Sequence, residues 1–269
     1  MHELFLTASV KQGDFDTACA VLQGLSWMTA RRTIYRVLFF AGQPQPKGLA
    51  GPPPPPNVLP RAAQPLWAEL HKQLLRSSYV LQAAYEVSPE TDFGGKENAA
   101  TTTTMDFTRL PATLRWTDLP DPLRDSPITS RKKIEIPFLN SLPRVLMENK
   151  QAYINELIQE SYSFNRGDLE IVLSRYYHLP ESQGRPIQHL PAWADLRPVD
   201  PAQKWMLHVK LNVAAGDGGG QPEKITKANE ELMRNKAEFE KLFDFKVIDR
   251  RFFDTRIAPP VVIPGRGPP

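Results

Sequence analysis

Long stretches of this chain alternate apolar and polar residues with a period of two, and that pattern constrains the fold more than any other feature, because successive side chains of a strand point to opposite faces. In QKWMLHVKLNVA, Trp205, Leu207, Val209, Leu211 and Val213 share one face, and Lys204, His208, Lys210 and Asn212 share the other, a wet one. Residues 2–10 set Leu4, Leu6, Ala8 and Val10 against Glu3, Phe5, Thr7 and Ser9. Residues 79–87 align Tyr79, Leu81, Ala83, Tyr85 and Val87, and residues 128–136 set Ile128, Ile134 and Ile136 against Arg131, Lys133 and Glu135. A short strand is predicted over 113–119 around Leu114 and Trp116. Residues 151–164 and 168–179 read as a hairpin turning at Asn165-Arg166-Gly167, where glycine supplies a positive φ. Residues 31–41, RRTIYRVLFFA, are apolar on both faces and are expected to be buried or to serve as an interface.

Helical spacing appears in fewer places. Phe15, Ala18, Cys19, Leu22 and Leu25 form a stripe behind Asp14, the expected cap. Leu66, Leu70 and Leu74 align over 65–75, and Ile225, Ala228, Leu232, Phe239 and Phe243 align from about Pro222 onward. Pro222 suits a first turn, where its missing N–H costs nothing, and Glu223 suits the positive helix end.

About eight to ten strands with three or four helices and no βαβ repeat imply antiparallel pairing. The fold class expected is mainly β with accessory helices (α+β): an antiparallel multi-stranded β-barrel, because closure removes exposed edges, interrupted by long Pro-rich insertions. One barrel domain is expected over 1–257, with disordered insertions near 42–64, 88–111 and 180–202 and a flexible tail at 258–269. Pro52 to Pro56 reads as a polyproline spacer, and GDGGG at 216–220 as a flexible connector.

The segment FDFKVIDRRFFDTRI at 243–257 reads as a further extended stretch. Alternation would place Arg250, Asp254 and Arg256 with Ile248 and Phe252, and Asp249, Arg251 and Thr255 with Val247, Phe253 and Ile257. Charges on both faces demand pairing, so Asp–Arg pairs across neighbouring strands are expected. Arg175, on the face of Leu169, Ile171, Leu173 and Tyr177, also needs a partner, with Asp249, Asp254 and Glu156 as candidates.

Charge is balanced rather than segregated: 11 of the 33 basic and 10 of the 30 acidic residues fall in 1–120, leaving 22 and 20 beyond. Nucleic-acid binders concentrate positive charge, so direct nucleic-acid binding is not expected; the RKK run at 131–133 reads as a solvated strand end. The single cysteine, Cys19, excludes an internal disulfide, fits a reducing compartment, and reads as a small buried hydrophobe. No signal peptide is recognisable, and no apolar run reaches the ~18–20 residues of a membrane span, so no membrane partner is expected. The histidines His2, His71, His178, His189 and His208 show no metal-site spacing, and His178 and His208 read as exposed. There is neither a Gly-x-Ser-x-Gly elbow nor a Gly-Lys-Ser/Thr phosphate loop. No catalytic, cofactor-binding or metal-ligating residue is assigned and no cofactor is implied.

The ordered set MHELFLTASV, DSPITSR (125–131), YSFNRGDLEIVLSRYYHLP (162–180), ANEELMRNKAEFEKLFDF and VIDRRFFDTRI resembles the family of subunit 18 of the Mediator complex, of the fungal type. The family's arginine in PITSR corresponds to Arg131. The resemblance implies a β-barrel with accessory helices. It also implies a nuclear, non-catalytic coactivator subunit of regulated RNA polymerase II transcription, acting by protein–protein contacts in the head module. The partners it implies are subunit 20, the C-terminal helix of subunit 8, other head-module subunits and the RNA polymerase II machinery. The alternative is a metal-dependent triphosphatase, since the family's barrel resembles tunnel-type enzymes of that kind. Those enzymes need Glu-x-Glu pairs on strands to hold a divalent metal. Here Glu238-Phe-Glu240 lies in a predicted helix, where residues two apart do not share a face, and Glu156 and Glu160 are four apart on a strand.

Overall fold

A computed structural model describes residues 1–94, 105–122, 126–180, 184–214 and 220–258. Nine strands occur among them: β1 (His2–Val10), β2 (Arg31–Ala41), β3 (Val80–Glu86), β4 (Ala112–Thr117), β5 (Thr129–Phe138), β6 (Ala152–Arg166), β7 (Leu169–His178), β8 (Arg197–Pro198) and β9 (Trp205–Val213). Eight of them close on themselves in the order β6-β2-β3-β4-β5-β1-β9-β7 and back to β6, every pair antiparallel, with the two-residue β8 laid outside β7. The barrel expected from the alternation is therefore present, and closure leaves no sheet edge along the ring.

The β6–β7 hairpin turns two residues later than its sequence suggests. Arg166 faces Leu169, so Gly167-Asp168 is a two-residue loop with Gly167 at φ +61°. A positive φ at the first loop position belongs to the turns whose twist matches that of the flanking strands.

The apolar faces of the strands point outward, beneath three covers. The first is α2 (Gln64–Leu74), α3 (Leu142–Glu148) and the 49–63 segment, which pack Leu49, Leu59, Trp67, Leu70 and Leu74 on Leu38, Phe40, Leu81, Leu114 and Ile136. The second is α1 (Phe15–Ser26) and α4 (Gln221–Phe239), whose Ala18, Leu22, Ala228, Leu232 and Phe239 lie over Leu4, Leu6, Ile171, Leu207 and Val209. The third is a smaller cluster in which Leu190, with Trp193 and Leu196 beside it, meets Ile34, Ile158 and Tyr177. Each fully buried aliphatic or aromatic side chain in these layers is worth about 1.5–3 kcal/mol.

Several expectations are corrected here. β2 is buried as expected, one face lying under α2 and its neighbours through Leu38 and Phe40 and the other turning Thr33 and Tyr35 into the barrel, so 31–41 is not a free interface. The 42–64 segment is packed rather than disordered: Leu49 and Leu59 are buried, Gly48 N–H donates to Leu74 O at 3.2 Å, and Gly51 N–H donates to Asn149 Oδ1 at 3.0 Å. In the 88–111 and 180–202 insertions, Phe93 bridges Leu190 and both are buried; the threonine run 101–104 lies outside the described residues, as do 215–219 of the connector and 259–269 of the tail. Asp14 occupies the position before α1 without a side-chain capping bond.

The 243–257 segment is not a strand. Its regular part is a single 3-10 turn at Arg250–Phe253, anchored by lone bridges Ala8–Phe245 and Tyr79–Arg256. The Asp–Arg pairs exist, but they are local. Arg251 Nη2 meets Asp249 Oδ2 at 2.6 Å, and Arg256 Nη2 meets Asp254 Oδ2 at 2.8 Å. Each aspartate also accepts the backbone N–H two residues on. Such side-chain-to-backbone bonds compete with a strand ladder.

Candidate functional site

With the apolar faces turned outward, the polar faces line a lumen of about 1130 Å³, somewhat larger than most ligand sites. Glu3 and Phe5 come from β1, Tyr35 from β2, Gln82 from β3, Arg115 from β4 and Arg131, Lys133 and Glu135 from β5. Gln159 comes from β6, Glu170 and Tyr176 from β7, and His208 and Lys210 from β9.

Register assigns these charges to one another. Glu3 lies opposite Arg131, and its carboxylate receives Arg131 Nε at 2.7 Å and Lys133 Nζ at 3.2 Å. Burial alone would raise the Glu3 pKa, but Arg131, Lys133 and Lys210 overcome it and hold the carboxyl at about 2. Lys133 also lies 3.5 Å from Glu135, and Glu170 meets its cross-strand neighbour Lys210 at 3.1 Å. Arg115 spans the lumen, donating from Nη1 to Gln159 Oε1 at 3.1 Å with its guanidinium 4.6 Å from the Tyr35 ring centre. Its Nε is buried without a hydrogen-bond partner, the nearest Glu135 oxygen standing 3.9 Å away.

His208 belongs to this lumen, which corrects its assignment to the exposed surface. Its ring stands edge-on to Phe5 at 5.3 Å, and burial, followed by the field of Arg131, lowers its pKa to about 4. The RKK run is likewise no solvated strand end, since Arg131 and Lys133 point inward and only Lys132 is exposed.

The 245–257 segment crosses one end of the barrel. Lys246 N–H donates to Thr7 O at 2.8 Å, Val80 N–H donates to Thr255 O at 2.7 Å, and Thr255 Oγ1 donates to Thr117 O at 3.0 Å. Between these anchors Phe253 stands edge-on to Phe5 at 5.5 Å and 5.6 Å from the Arg131 guanidinium, while Phe252 is 84% exposed.

The other sequence candidates lie elsewhere. Glu156 and Glu160 face outward: Glu156 takes Arg36 Nε at 2.6 Å, and Glu160 takes Arg32, Arg175 and Tyr177. The partner of Arg175 is therefore Glu160, at 3.0 Å and directly across the ladder, and not Asp249, Asp254 or Glu156. Glu238 pairs with Arg166 and Glu240 with Lys236, both outside the barrel. His71 accepts Leu49 N–H, and His178 and His189 are exposed. Cys19 is half-buried with its thiol pushed up to about 11, unsuited to nucleophilic chemistry. Glu3, Arg115, Glu135, Glu170, Tyr176 and Lys210 were not singled out from sequence. Their signal was present as the polar half of each alternation, but alternation does not say which half faces the lumen.

The class is thus a closed eight-stranded antiparallel barrel with a charged lumen and an apolar exterior sheathed by helices and loops. The family model described as Med18 protein matches residues 2–256, and the chain belongs to that family. Curated relatives named Mediator of RNA polymerase II transcription subunit 18 include those of Neosartorya fischeri (27% identical over 281 residues, 95% of this chain and 99% of the relative) and Aspergillus oryzae (27% over 286 residues, with the same coverage). Among solved structures, a chain of the Schizosaccharomyces pombe Mediator head module superposes with a TM-score of 0.63 at 15% identity, covering 92% of this chain and 99% of that one. At that identity the likeness speaks to the fold.

Proposed function

We propose that this chain is a non-catalytic subunit of the Mediator head module, a nuclear coactivator component of regulated RNA polymerase II transcription. The observation that carries the reading is the family match over 2–256, which spans every element of the barrel and its covers. The charge pattern supports a role without metal-assisted hydrolysis. The lumen carboxylates Glu3 and Glu170 are each bound to a cation, and Glu135 faces Lys133. Among the described residues no three acidic, histidine or cysteine side chains gather as a metal site. The work of such a subunit is to hold surfaces together. Other head-module subunits are the partners, with subunit 20 and the C-terminal helix of subunit 8 as the specific ones and the polymerase machinery beyond them. The test is co-expression with subunit 20, followed by size-exclusion chromatography with mass determination. A co-eluting one-to-one complex is expected; a well-behaved monomer that ignores the partner would overturn the pairing.

A further inference from the structure

We infer that the lumen binds a small phosphate-type oxyanion, held by Arg115 and Arg131 with the Tyr176 hydroxyl, and that it does so without a metal ion. The first ground is a charge mismatch. Six side-chain cations line the cavity, Arg115, Arg131, Lys133, Arg175, Lys204 and Lys210, against five carboxylates, Glu3, Glu135, Glu170, Asp200 and Asp254, and of these Arg175 and Asp254 are paired with Glu160 and Arg256. Glu170 is matched by Lys210, and Glu3 takes both Arg131 and Lys133. Arg115 is left with Glu135, which stands 3.9 Å off, nearer to Lys133 than to Arg115. A cation in a partly desolvated interior with no close counter-charge is costly.

The second ground is geometric. The buried Arg115 Nε is a donor aimed at nothing in the protein. A planar guanidinium with a free donor edge suits a phosphate oxygen. Arg115 stands on β4, and Tyr176 reaches in from β7, the strand diametrically opposite it in the eight-strand ring. Burial raises the Tyr176 pKa while the fields of both Arg115 and Arg131 oppose that rise, so the hydroxyl is a neutral donor on the wall of the same lumen. His208, disfavoured as a cation beside Arg131, senses the same positive field. The cavity has room for a pyrophosphate-sized guest together with water.

The same set argues against a metal-bridged anion, because the strand carboxylates that would hold the metal are already engaged by lysine and arginine. An oxyanion here neutralises the surplus directly, and the site is independent of the partner-binding role.

The experiment is isothermal titration of the full chain with inorganic pyrophosphate, with ATP as a second arm, at fixed ionic strength and in the presence of EDTA. Saturable binding of pyrophosphate that survives EDTA is expected, and Arg115→Gln should weaken it about tenfold or more, the usual cost of losing a charged hydrogen bond. Tyr176→Phe, which keeps the ring, should weaken it less, and Lys132→Gln on the exposed side of β5 should leave it unchanged. ATP binding at least as tightly as pyrophosphate would identify a nucleotide phosphate tail as the source, and weaker ATP binding a free oxyanion. Absence of saturable binding, dependence on divalent metal, or a folded Arg115→Gln variant that binds as well as the wild type would overturn the assignment. If Arg115→Gln proves unfolded by circular dichroism, Tyr176→Phe decides: unchanged affinity in that variant defeats the proposal.

Discussion

Glu3 is buried, faces the lumen and holds Arg131 on one oxygen and Lys133 on the other. Glu3→Gln keeps the shape but leaves two cations short of a counter-charge. Removing one partner of a buried ion pair costs about 3–5 kcal/mol, and because Lys133 retains Glu135 the lower end, about 3 kcal/mol, is expected in urea denaturation. Acid should act in two stages. The His208 pKa is about 4 in the fold against an ordinary 6.5. The folded state therefore binds this proton less readily than the unfolded chain, and stability falls as pH drops from 6.5 through 4. The Glu3 pKa is about 2 against 4.5, so its stabilisation is complete above pH 4.5 and is lost as pH falls toward 2. A series of unfolding midpoints from pH 8 to pH 3 should therefore be level above about 6.5 and then decline. His208→Gln should remove the upper part of the decline and leave the lower. A wild-type midpoint that stays level down to pH 4.5 would contradict the placement of His208 in the lumen.

Two elements carry structure that single substitutions can probe. At the β6–β7 hairpin, Gly167 has φ +61° and nothing within 4 Å of where a Cβ would sit, so the cost of a side chain there is purely one of backbone conformation. Gly167→Val should cost about 1–2 kcal/mol and Gly167→Asn distinctly less, since asparagine visits the left-handed region; equal urea midpoints for the two variants would count against the turn. In the crossing segment, adjacent phenylalanines make an internal control. Phe253→Ala removes a half-buried ring from Phe5 and Arg131 and should cost about 1–2 kcal/mol, below the 3–5 of a fully buried phenylalanine. Phe252→Ala should stay within about 0.5 kcal/mol, as exposed positions do. The strands and helices of this fold were legible in the sequence because each carries a period. What stayed illegible either lacks one or carries one that its own side chains override. Leu49 and Leu59 are isolated apolar residues in a Pro-rich stretch, and nothing in their spacing announces that both are buried. The 249–256 run carries alternation that its own aspartates defeat by bonding the backbone two residues on. The lumen was half-legible: each strand's polar face could be read, but apolar faces are ordinarily assigned to the inside of a barrel, and here the helices draw them outward.

Across the whole molecule, that inversion divides the structure into parts of unequal stability. Every barrel strand is bonded on both sides and roofed on its outer face, so its amides can exchange only when the ring opens. The 245–257 segment, by contrast, is tied down by a few backbone bonds, to Thr7, Ser78 and Val80, and by one side-chain bond to Thr117. It borders a wet lumen on one side and, through Phe252, Arg250 and Arg251, solvent on the other. Local opening free energy follows the number of protected bonds and the apolar area that must be exposed, and both are small here. Hydrogen exchange followed by mass spectrometry should therefore show peptides from β1, β2, β6, β7 and β9 exchanging together and slowest. Peptides covering 245–257 should exchange orders of magnitude faster, without loss of protection in the barrel. The covering segment around Leu190 and Trp193 should fall between, because Arg36, fully buried, donates to Ile187 O at 2.6 Å while Glu156 accepts Ile187 N–H at 2.7 Å, pinning that cover to the barrel wall. Equal protection of 245–257 and β9 would mean that the crossing segment is an integral wall of the barrel. Opening it would then require unfolding the whole, and guests would have to enter the lumen from the opposite end.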